Sequence, residues 1–340
     1  MADKRFILIV SIAFAIILVL VCVGMALLPD NEDSVPLSDE QVSNDLSGNS
    51  TGDSFRVLVA GKDRASGLYD VMMLVSFDRT AKTACVLQIP RDTYFEYTER
   101  SYKKINGAPA ALGMRGFCDL LGEALGVSVD SYISLDLDAF AKAVDAIGGV
   151  EIDLPEPLDY SDPAQDLRIH LPAGRQTLDG KAAEQFVRFR SGYLRGDLGR
   201  LDAQKLFMAS FFEKCTSSLS ISEAEGLTAA LLPSVKTDMG IFQLVGLATD
   251  ALAVKKEDIV FVTAPGEDAV SEVSGAWYYL LSARSMEGLL EEYFGECSDF
   301  DKKRLFLNEK NPSSVKIYES NIPPDIFSAG DVVNNGIDIK

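Results

Sequence analysis

Three short apolar runs follow one another between Phe55 and Pro90, and they constrain the fold more than any other feature of the chain. Each is rich in apolar residues and bounded by Gly, Asp or Pro: FRVLVAG, VMMLVSFD and TACVLQIP. Such runs predict buried strands, because a strand covered on both faces is apolar along its whole length. Predicted helices are interleaved with strands further along. We therefore expect an α/β fold, a three-layer α/β/α sandwich with a central mixed sheet.

Helical and strand-like patterns alternate in the chain after the third run. Residues 131–136 (SYISLD) and 258–265 (DIVFVTAP) predict two further strands of the sheet. The predicted helices are residues 107–125, 137–147, 180–187, 197–215, 221–231 and 240–252. Asp138 begins the second of these helices, and Gly148 and Gly149 end it, as N-cap and C-cap residues do.

Phe6–Leu28 contains no charged residue and is long enough to cross a bilayer as a helix. Lys4 and Arg5 precede it and acidic residues follow it, so the positive-inside rule predicts a single-pass anchor with a cytoplasmic N-terminus. Everything after the anchor is then extracellular, at the cell membrane. The alternative is a cleaved signal peptide, whose apolar region is usually about 7–15 residues long.

The chain divides into five predicted segments. They are the cytoplasmic N-terminus (1–5), the transmembrane anchor (6–28), a flexible acidic linker (29–54), the main folded domain (55–297) and a C-terminal appendage or tail (298–340). The linker contains too few large apolar residues to order itself. The segment after Ser298 mixes charge, Pro and Asn with short apolar runs, so the sequence does not decide between an appendage and a tail.

The formal charge of −19 excludes nucleic acid as a partner, because binding a phosphate backbone requires a broad basic surface. Against this background, Val187–Gln204 concentrates four arginines around Asp197: Arg188, Arg190, Arg195 and Arg200. A guanidinium group presents a planar fork of donors that matches two oxygens of a phosphoryl group. The segment therefore predicts a phosphate-bearing ligand. The alternative is that these arginines pair with surface carboxylates near a helix start.

Two local geometries bring the polar residues of this segment together. If residues 187–190 are extended, Arg188 and Arg190 share one face, opposite their apolar neighbours. A helix that begins near Gly196 carries a polar stripe, at about 100° per residue: Asp197, Arg200 and Gln204. The same face continues with three apolar residues: Phe207, Met208 and Phe211. These indicate either core packing or a groove suited to a lipid tail.

Further polar residues follow the ends of the predicted strands. The loop in GKDRASGLYDVMML places Asp63, Arg64 and Asp70 between the first two strands. Paired carboxylates beside a phosphate site suit Mg²⁺, which prefers oxygen ligands; alternatively, they are solvated turn residues. IPRDT places Arg91 and Asp92 directly after the third strand, where Asp92 either contacts the metal or orients Arg91.

Several motifs, in this order, resemble the LytR-CpsA-Psr family of membrane-anchored glycopolymer transferases of bacterial cell envelopes. The motifs are VLVAGKDRASGLYDVMMLVSFD, VLQIPRDTY, KKINGA, VDAIGGVEIDLPEPLDYSDPAQDLRIHLPAGRQTLDG and VRFRSGYLRGDLGRLDAQ. They span Phe55–Gln204, with a weaker likeness to about Phe294. The chain departs from the family pattern at three positions: Lys62, Val71 and Ala203.

The resemblance implies that residues 55–297 form the catalytic domain of a magnesium-dependent phosphotransferase. The donor is then a glycopolymer on a polyprenyl-pyrophosphate carrier, the acceptor is a sugar hydroxyl of peptidoglycan, and polyprenyl phosphate leaves. By the same resemblance, four arginines line the pyrophosphate site: Arg91, Arg188, Arg190 and Arg200. Asp63 and Asp70 bind Mg²⁺, and Asp197 and Gln204 orient the arginines or touch the substrate head. Two alternatives stay open, a polyprenyl-pyrophosphate hydrolase and a non-catalytic protein that binds envelope polymers.

The single histidine and the cysteines carry less information. His170 is either a general base or a strand histidine that a hydrogen bond holds in place, and we expect the second. Four cysteines follow the apolar N-terminal segment without CxxC spacing: Cys85, Cys118, Cys215 and Cys297. Cys85 and Cys118 lie in apolar runs, so we expect buried free thiols there and no zinc site.

Overall fold

The structure is a computed structural model, and it describes only part of the chain. The described residues are 54–62, 67–97, 103–136, 138–162, 167–189, 203, 205–211, 213–214, 235–240, 243, 247, 254–271, 275–295, 301–305, 321–324 and 326–329. Within these ranges, no helix is long and apolar enough to cross a membrane. The predicted anchor Phe6–Leu28 and most of the acidic linker lie outside them, so the anchor stays a prediction.

Strands and helices alternate along the described ranges. The strands are β1 (Ser54–Lys62), β2 (Tyr69–Asp78), β3 (Thr83–Ile89), β4 (Ser131–Asp136), β5 (Val150–Leu154), β6 (Leu158–Asp162), β7 (Leu167–Leu171), β8 (Gly174–Leu178), β9 (Val235–Thr237), β10 (Ile259–Thr263), β11 (Gly266–Val270), β12 (Trp277–Leu281) and β13 (Ile326–Ser328). The α-helices are α1 (Ala108–Leu125), α2 (Asp138–Ala146), α3 (Gly180–Arg188), α4 (Ala283–Phe294) and α5 (Lys302–Leu305). Residues 203, 205–211 and 213–214 are also helical, whereas the predicted helix 221–231 lies outside the described residues.

Seven strands form one mixed sheet in the order β13-β10-β3-β2-β1-β4-β9. β1 is parallel to β4, and β3 is parallel to β10. The other neighbours in the sheet are antiparallel. Three two-stranded ribbons lie beside it: β5 with β8, β6 with β7, and β11 with β12. The mixed sheet with helices expected for an α/β fold is confirmed, as are the five strands predicted from the sequence.

Hydrophobic clusters cover both faces of this sheet. Alternate residues of β1 belong to different clusters, since Val57 and Val59 lie in one and Leu58 lies in the other. The first cluster includes residues of α2, α3 and the helical residues 205–211. The second includes residues of α1 and α4. Burial on both faces is the reason why the strands read as continuous apolar runs.

Glycines end and bend the helices that cover the sheet. α2 stops where Gly148 and Gly149 take positive φ values of 74° and 87°, as the sequence predicts. The Gly149 N–H donates to the Val144 carbonyl at 2.9 Å and satisfies a carbonyl of the last turn. α1 is kinked at Gly113, whose φ of 74° and ψ of 159° interrupt the helix. The sequence did not predict this kink.

The predicted helix 180–187 is confirmed as α3, and the extended conformation considered for residues 187–190 does not hold for Val187 and Arg188. α3 continues through Arg188, and the chain leaves the helix only at Phe189, with φ −67° and ψ 135°. Val187 and Phe189 are both buried in the core. They are at the end of a helix, however, and not on one face of a strand. Period-two alternation therefore gives no reason for Arg188 and Arg190 to share a face.

The helical residues that follow the arginine-rich segment are part of the core. Phe207, Met208 and Phe211 are buried, at no more than 1% exposure each. The core packing predicted for these three side chains is therefore confirmed. Beyond Ser298, β13 pairs with β10 and extends the sheet at its edge.

Candidate functional site

The carboxyl ends of four strands lie at one edge of the central sheet. β1 and β3 both run antiparallel to β2, and their parallel neighbours are β4 and β10. These four strands therefore point in the same direction. In open α/β sheets, ligands bind outside the carboxyl ends of the strands. Asp63 follows β1 in the sequence and Arg91 follows β3, so two of the predicted site residues come directly after strands that end at this edge.

The pairing register of β1 and β2 places the two predicted magnesium ligands at the same end of these strands. Lys62 pairs with Tyr69 after an irregularity between Gly61 and Lys62. Asp70 is the next residue of β2 and Asp63 is the next residue after β1, so both positions adjoin the same end of this hairpin. The side chain of Asp70 and all of Asp63 lie outside the described residues. The described residues alone contain no cluster of three or more metal-ligating side chains.

A tight turn after β3 holds Arg91 at the sheet edge. The backbone N–H of Thr93 donates to the Pro90 carbonyl at 3.0 Å, and its hydroxyl donates to the same oxygen at 2.6 Å. The Asn106 N–H donates to the Arg91 carbonyl at 3.3 Å, which joins the turn to the segment before α1. Thr93 and Asn106 are buried, and Arg91 is only 9% exposed. Arg91 is thus a largely buried cation on a constrained backbone.

Arg91, Asp92 and Lys104 form a charged cluster, which we call the edge cluster. Arg91 Nε lies 3.5 Å from Asp92 Oδ2, and Lys104 Nζ donates to Asp92 Oδ1 at 2.7 Å. Arg91 and Lys104 thus share the carboxylate of Asp92. Burial strengthens these interactions because the local dielectric is lower than that of water. The arrangement holds Asp92 between the two cations and fixes both of them near the carboxyl ends of the strands.

The β11–β12 hairpin packs beside the edge cluster. The Tyr279 N–H donates to the Asp92 carbonyl at 2.9 Å, and the Tyr94 N–H donates to the Tyr279 carbonyl at 2.9 Å. Tyr279 donates its hydroxyl to the Ala264 carbonyl at 2.8 Å. Burial, followed by the nearby carboxylates of Asp268 and Glu267, raises the pKa of the Tyr279 phenol, which therefore stays protonated. The hairpin also brings the Trp277 ring to the cluster, with Lys104 Nζ 5.3 Å from the ring centroid.

Sequence reasoning singled out Arg91 and Asp92 but did not single out Lys104 or Trp277. Lys104 lies in KKINGA, one of the motifs that resemble the family. Its position in that motif is the one sequence observation that could have indicated a role at the site. No sequence pattern connects Trp277 to the IPRDT turn. Their proximity depends on the backbone hydrogen bonds between Tyr279 and that turn.

The remaining predicted site residues are not tested by the structure. Arg188 ends α3, but its side chain lies outside the described residues. The others lie entirely outside them: Arg190, Asp197, Arg200 and Gln204. Their convergence on Arg91 stays a prediction.

The plain interpretations of His170 and of two cysteines are confirmed. His170 Nδ1 lies 2.5 Å from Asp159 Oδ1, its neighbour across the β6–β7 ribbon. Cys85 and Cys118 are buried free thiols. Burial is the main cause that raises the pKa of both, to about 12 for Cys118. Cys215 and Cys297 lie outside the described residues.

Comparison with known proteins identifies the family. The LytR_cpsA_psr family model matches residues 29–294. The chain belongs to the LytR_cpsA_psr family. The region that matches the family contains the whole edge cluster and every site residue predicted from the sequence.

Two curated relatives and one solved structure show the range of this similarity to LytR_cpsA_psr proteins. The chain is 28% identical over 256 residues to the polyisoprenyl-teichoic acid–peptidoglycan teichoic acid transferase TagU of Oceanobacillus iheyensis, covering 73% of this chain and 77% of TagU. It is 28% identical to the similarly named transferase TagV of Bacillus subtilis, covering 65% of this chain but only 58% of TagV. The structure of TagT bound to LIIa-WTA superposes with a TM-score of 0.57 at 27% identity, covering 71% of this chain and 89% of TagT.

Proposed function

We propose that this LytR_cpsA_psr protein is an extracytoplasmic phosphotransferase that moves a glycopolymer from a polyprenyl-pyrophosphate carrier to a sugar hydroxyl of peptidoglycan. The observation that carries the proposal is Arg91, a cation 9% exposed at the carboxyl edge of the sheet, which shares Asp92 with Lys104 in the edge cluster. The names of TagU and TagV, which describe teichoic acid transfer to peptidoglycan, support the donor and acceptor classes.

The reaction exchanges one phosphorus–oxygen bond for another. The acceptor hydroxyl oxygen bonds to the phosphorus next to the glycopolymer, and the bridging bond of the pyrophosphate breaks. Polyprenyl phosphate leaves with the bridging oxygen and its electron pair, and the hydroxyl proton passes to a base or to water. Negative charge grows on the leaving phosphate, so fixed cations accelerate the step by stabilising that charge. Arg91 has this role in the proposal, with Arg188, Arg190 and Arg200 beside it.

The proposal assigns Mg²⁺ to Asp63 and Asp70. Both residues carry hard carboxylate oxygens, and their positions adjoin one end of the β1–β2 hairpin, so the donor set fits this ion. Bound there, Mg²⁺ adds positive charge at the phosphate oxygens. The proposal gives Asp92 the role of orienting Arg91, because its carboxylate interacts with both Arg91 and Lys104. Asp197 and Gln204 orient the arginines or touch the substrate head in this scheme.

The predicted anchor Phe6–Leu28 gives the proposed reaction its location. A polyprenyl carrier is confined to the bilayer, and a single-pass anchor keeps the domain at the outer surface, where peptidoglycan is the acceptor.

Transfer of a labelled lipid-linked donor to peptidoglycan, with purified full-length protein in detergent, tests the proposal. Arg91→Ala should lower kcat/KM about 10- to 150-fold, since a hydrogen bond to a charged group contributes about 1.5–3 kcal/mol. Arg91→Lys should recover only part of this loss, because lysine keeps the charge but lacks the planar fork. Arg175→Ala is the matched control, because Arg175 is exposed on the β5–β8 ribbon and pairs with Glu151.

The same assay separates the transferase from the other functions. A covalent phosphodiester to the glycan identifies a transferase, whereas release of phosphorylated polymer into water identifies a hydrolase. Stoichiometric binding without turnover identifies a binding protein. Near-normal turnover of the Arg188→Ala, Arg190→Ala double variant would remove those arginines from the site. Magnesium dependence that survives the Asp63→Ala, Asp70→Ala double variant would place the ion elsewhere.

A further inference from the structure

Lys205 is a lysine in the interior of the domain. It is only 2% exposed, and it begins the helical residues 205–211 that cover one face of the central sheet. Its Nζ lies 4.4 Å from the centroid of the Phe327 ring in β13. An aromatic face attracts a cation, and the attraction is stronger where water is excluded. The contact therefore joins this helix to the edge strand of the sheet.

β13 connects this contact to the strand that leads to Arg91. Phe327 pairs with Phe261 of β10, and Phe261 pairs with Val86 of β3. Arg91 follows β3 in the sequence. Paired strands are held side by side by their backbone hydrogen bonds. Lys205 is thus tied, through two strand pairings, to the part of the sheet that positions Arg91.

The helix of Lys205 follows the arginine-rich segment in the chain. Gln204 directly precedes Lys205 in the sequence. Phe207, in the same helix, has its ring centroid 6.4 Å from that of Phe186 in α3, and α3 ends at Arg188. The helix that contacts Phe327 therefore also packs against the helix from which the arginine-rich segment begins.

The residues before β13 contact the other side of the candidate site. Ile322 packs against a cluster that contains Tyr94 and Tyr278, and its N–H donates to Ser285 Oγ at 2.8 Å. Tyr94 belongs to the segment that follows Arg91. The family model matches residues 29–294, so both contacts come from the part of the chain beyond that match.

We propose that Phe327 is a positioning residue of the transferase. Through Lys205, it fixes the helix after the arginine-rich segment relative to the strand that leads to Arg91. The proposal rests on the proposed function, in which the arginines of that segment and Arg91 bind one pyrophosphate. Small displacements of groups that hold the reacting phosphate lower the rate of transfer. Phe327 itself touches no substrate in this scheme.

Transfer kinetics of the full-length protein measure this role. Phe327→Leu should lower kcat/KM for the lipid-linked donor about 2- to 30-fold, the range that corresponds to the strength of a cation–π contact. The KM for the glycan acceptor should stay unchanged. Phe327→Tyr keeps the aromatic face and should restore most of the activity. Lys205→Met should also lower kcat/KM, and adding Phe327→Leu to it should cause no further loss, because the contact is already absent. Independent losses would refute the link through Lys205.

Phe55→Leu is the matched control for a general loss of stability. Arg79 Cζ lies 5.2 Å from the Phe55 ring centroid, a comparable contact at the amino end of β1, at the opposite end of the strands from Arg91. We expect this variant to lose stability and to keep the kcat/KM of the wild type, in assays without denaturant. If Phe55→Leu loses as much activity as Phe327→Leu, activity follows global stability and the proposal is overturned.

Binding of inorganic pyrophosphate in the presence of Mg²⁺, measured by calorimetry, separates this inference from the proposed function because it needs no turnover. The wild-type protein should bind pyrophosphate. Phe327→Leu should raise the Kd by a factor similar to its loss in kcat/KM, and Phe55→Leu should leave the Kd unchanged. A wild-type protein that does not bind pyrophosphate refutes the proposed function, and the role of Phe327 with it. Equal affinity of the wild type and Phe327→Leu refutes the positioning role alone.

Discussion

The ion pair between Asp92 and Lys104 leads to a quantitative prediction about the edge cluster. Their side chains are 17% and 21% exposed, and the Nζ to Oδ1 distance is 2.7 Å. Exposed ion pairs contribute about 0–1 kcal/mol, whereas removing one partner of a buried pair costs about 3–5 kcal/mol. With about a fifth of each side chain exposed, we expect Asp92→Ala to lower the free energy of unfolding by about 2 kcal/mol.

Replacing the other partner should cost less. In Lys104→Met, Asp92 keeps Arg91, whose Nε lies 3.5 Å from Oδ2, and methionine preserves the apolar stem of the side chain. We expect a loss of about 1 kcal/mol, and a coupling energy of about 1 kcal/mol in the double-mutant cycle, within the range for residues in contact. Asp92→Ala is the more damaging change because it leaves two cations without a shared carboxylate.

Urea unfolding of the full-length protein in detergent, followed by circular dichroism, measures both variants and the double variant. The matched cycle uses Arg175 and Glu151, an exposed pair for which we expect no measurable coupling. A change of less than about 0.5 kcal/mol in the free energy of unfolding of Asp92→Ala would mean that the carboxylate does not stabilise the fold. Additive effects of Asp92→Ala and Lys104→Met would mean that the two side chains are not energetically coupled.

Three further predictions concern the packing that supports the site. Gly180→Ala should destabilise the fold by about 3 kcal/mol through overpacking, because an added Cβ would lie 2.1 Å from the Ala141 carbonyl oxygen. Gly288→Ala lies in the interior of α4, where an added Cβ would meet no atom within 4 Å, so it should raise the free energy of unfolding by about 0.5–1 kcal/mol. A denaturation midpoint equal to that of the wild type would contradict the prediction for either variant. Phe327→Leu should lower the free energy of unfolding by about 1–2 kcal/mol, because it removes the ring whose centroid lies 4.4 Å from Lys205 Nζ. An unchanged denaturation midpoint would mean that β13 does not stabilise the domain.

Residues 187–190 show where a local sequence pattern leaves two conformations open. Val187 is apolar and buried whether it lies on a strand or in the last turn of α3, so its burial does not distinguish the two conformations. α3 ends at Phe189, whose side chain is buried in the core among residues far away in the sequence. Helix ends fixed by glycine were easier to predict, as Gly148 and Gly149 show, because positive φ is a property of the residue itself.

By itself, the sequence determined five strands of the central sheet, several of the helices and the place of Arg91 directly after the third strand. Buried strands, glycine helix ends and the IPRDT turn are local patterns, since they follow from the chemistry of neighbouring residues. Only the tertiary structure decided that Lys104 pairs with Asp92 and lies beside the Trp277 ring, because these contacts join separate segments of the chain. Hydrophobic periodicity along the sequence indicates which side of a helix or strand is buried. Which charged or aromatic side chains contact each other depends instead on how the elements pack around the sheet.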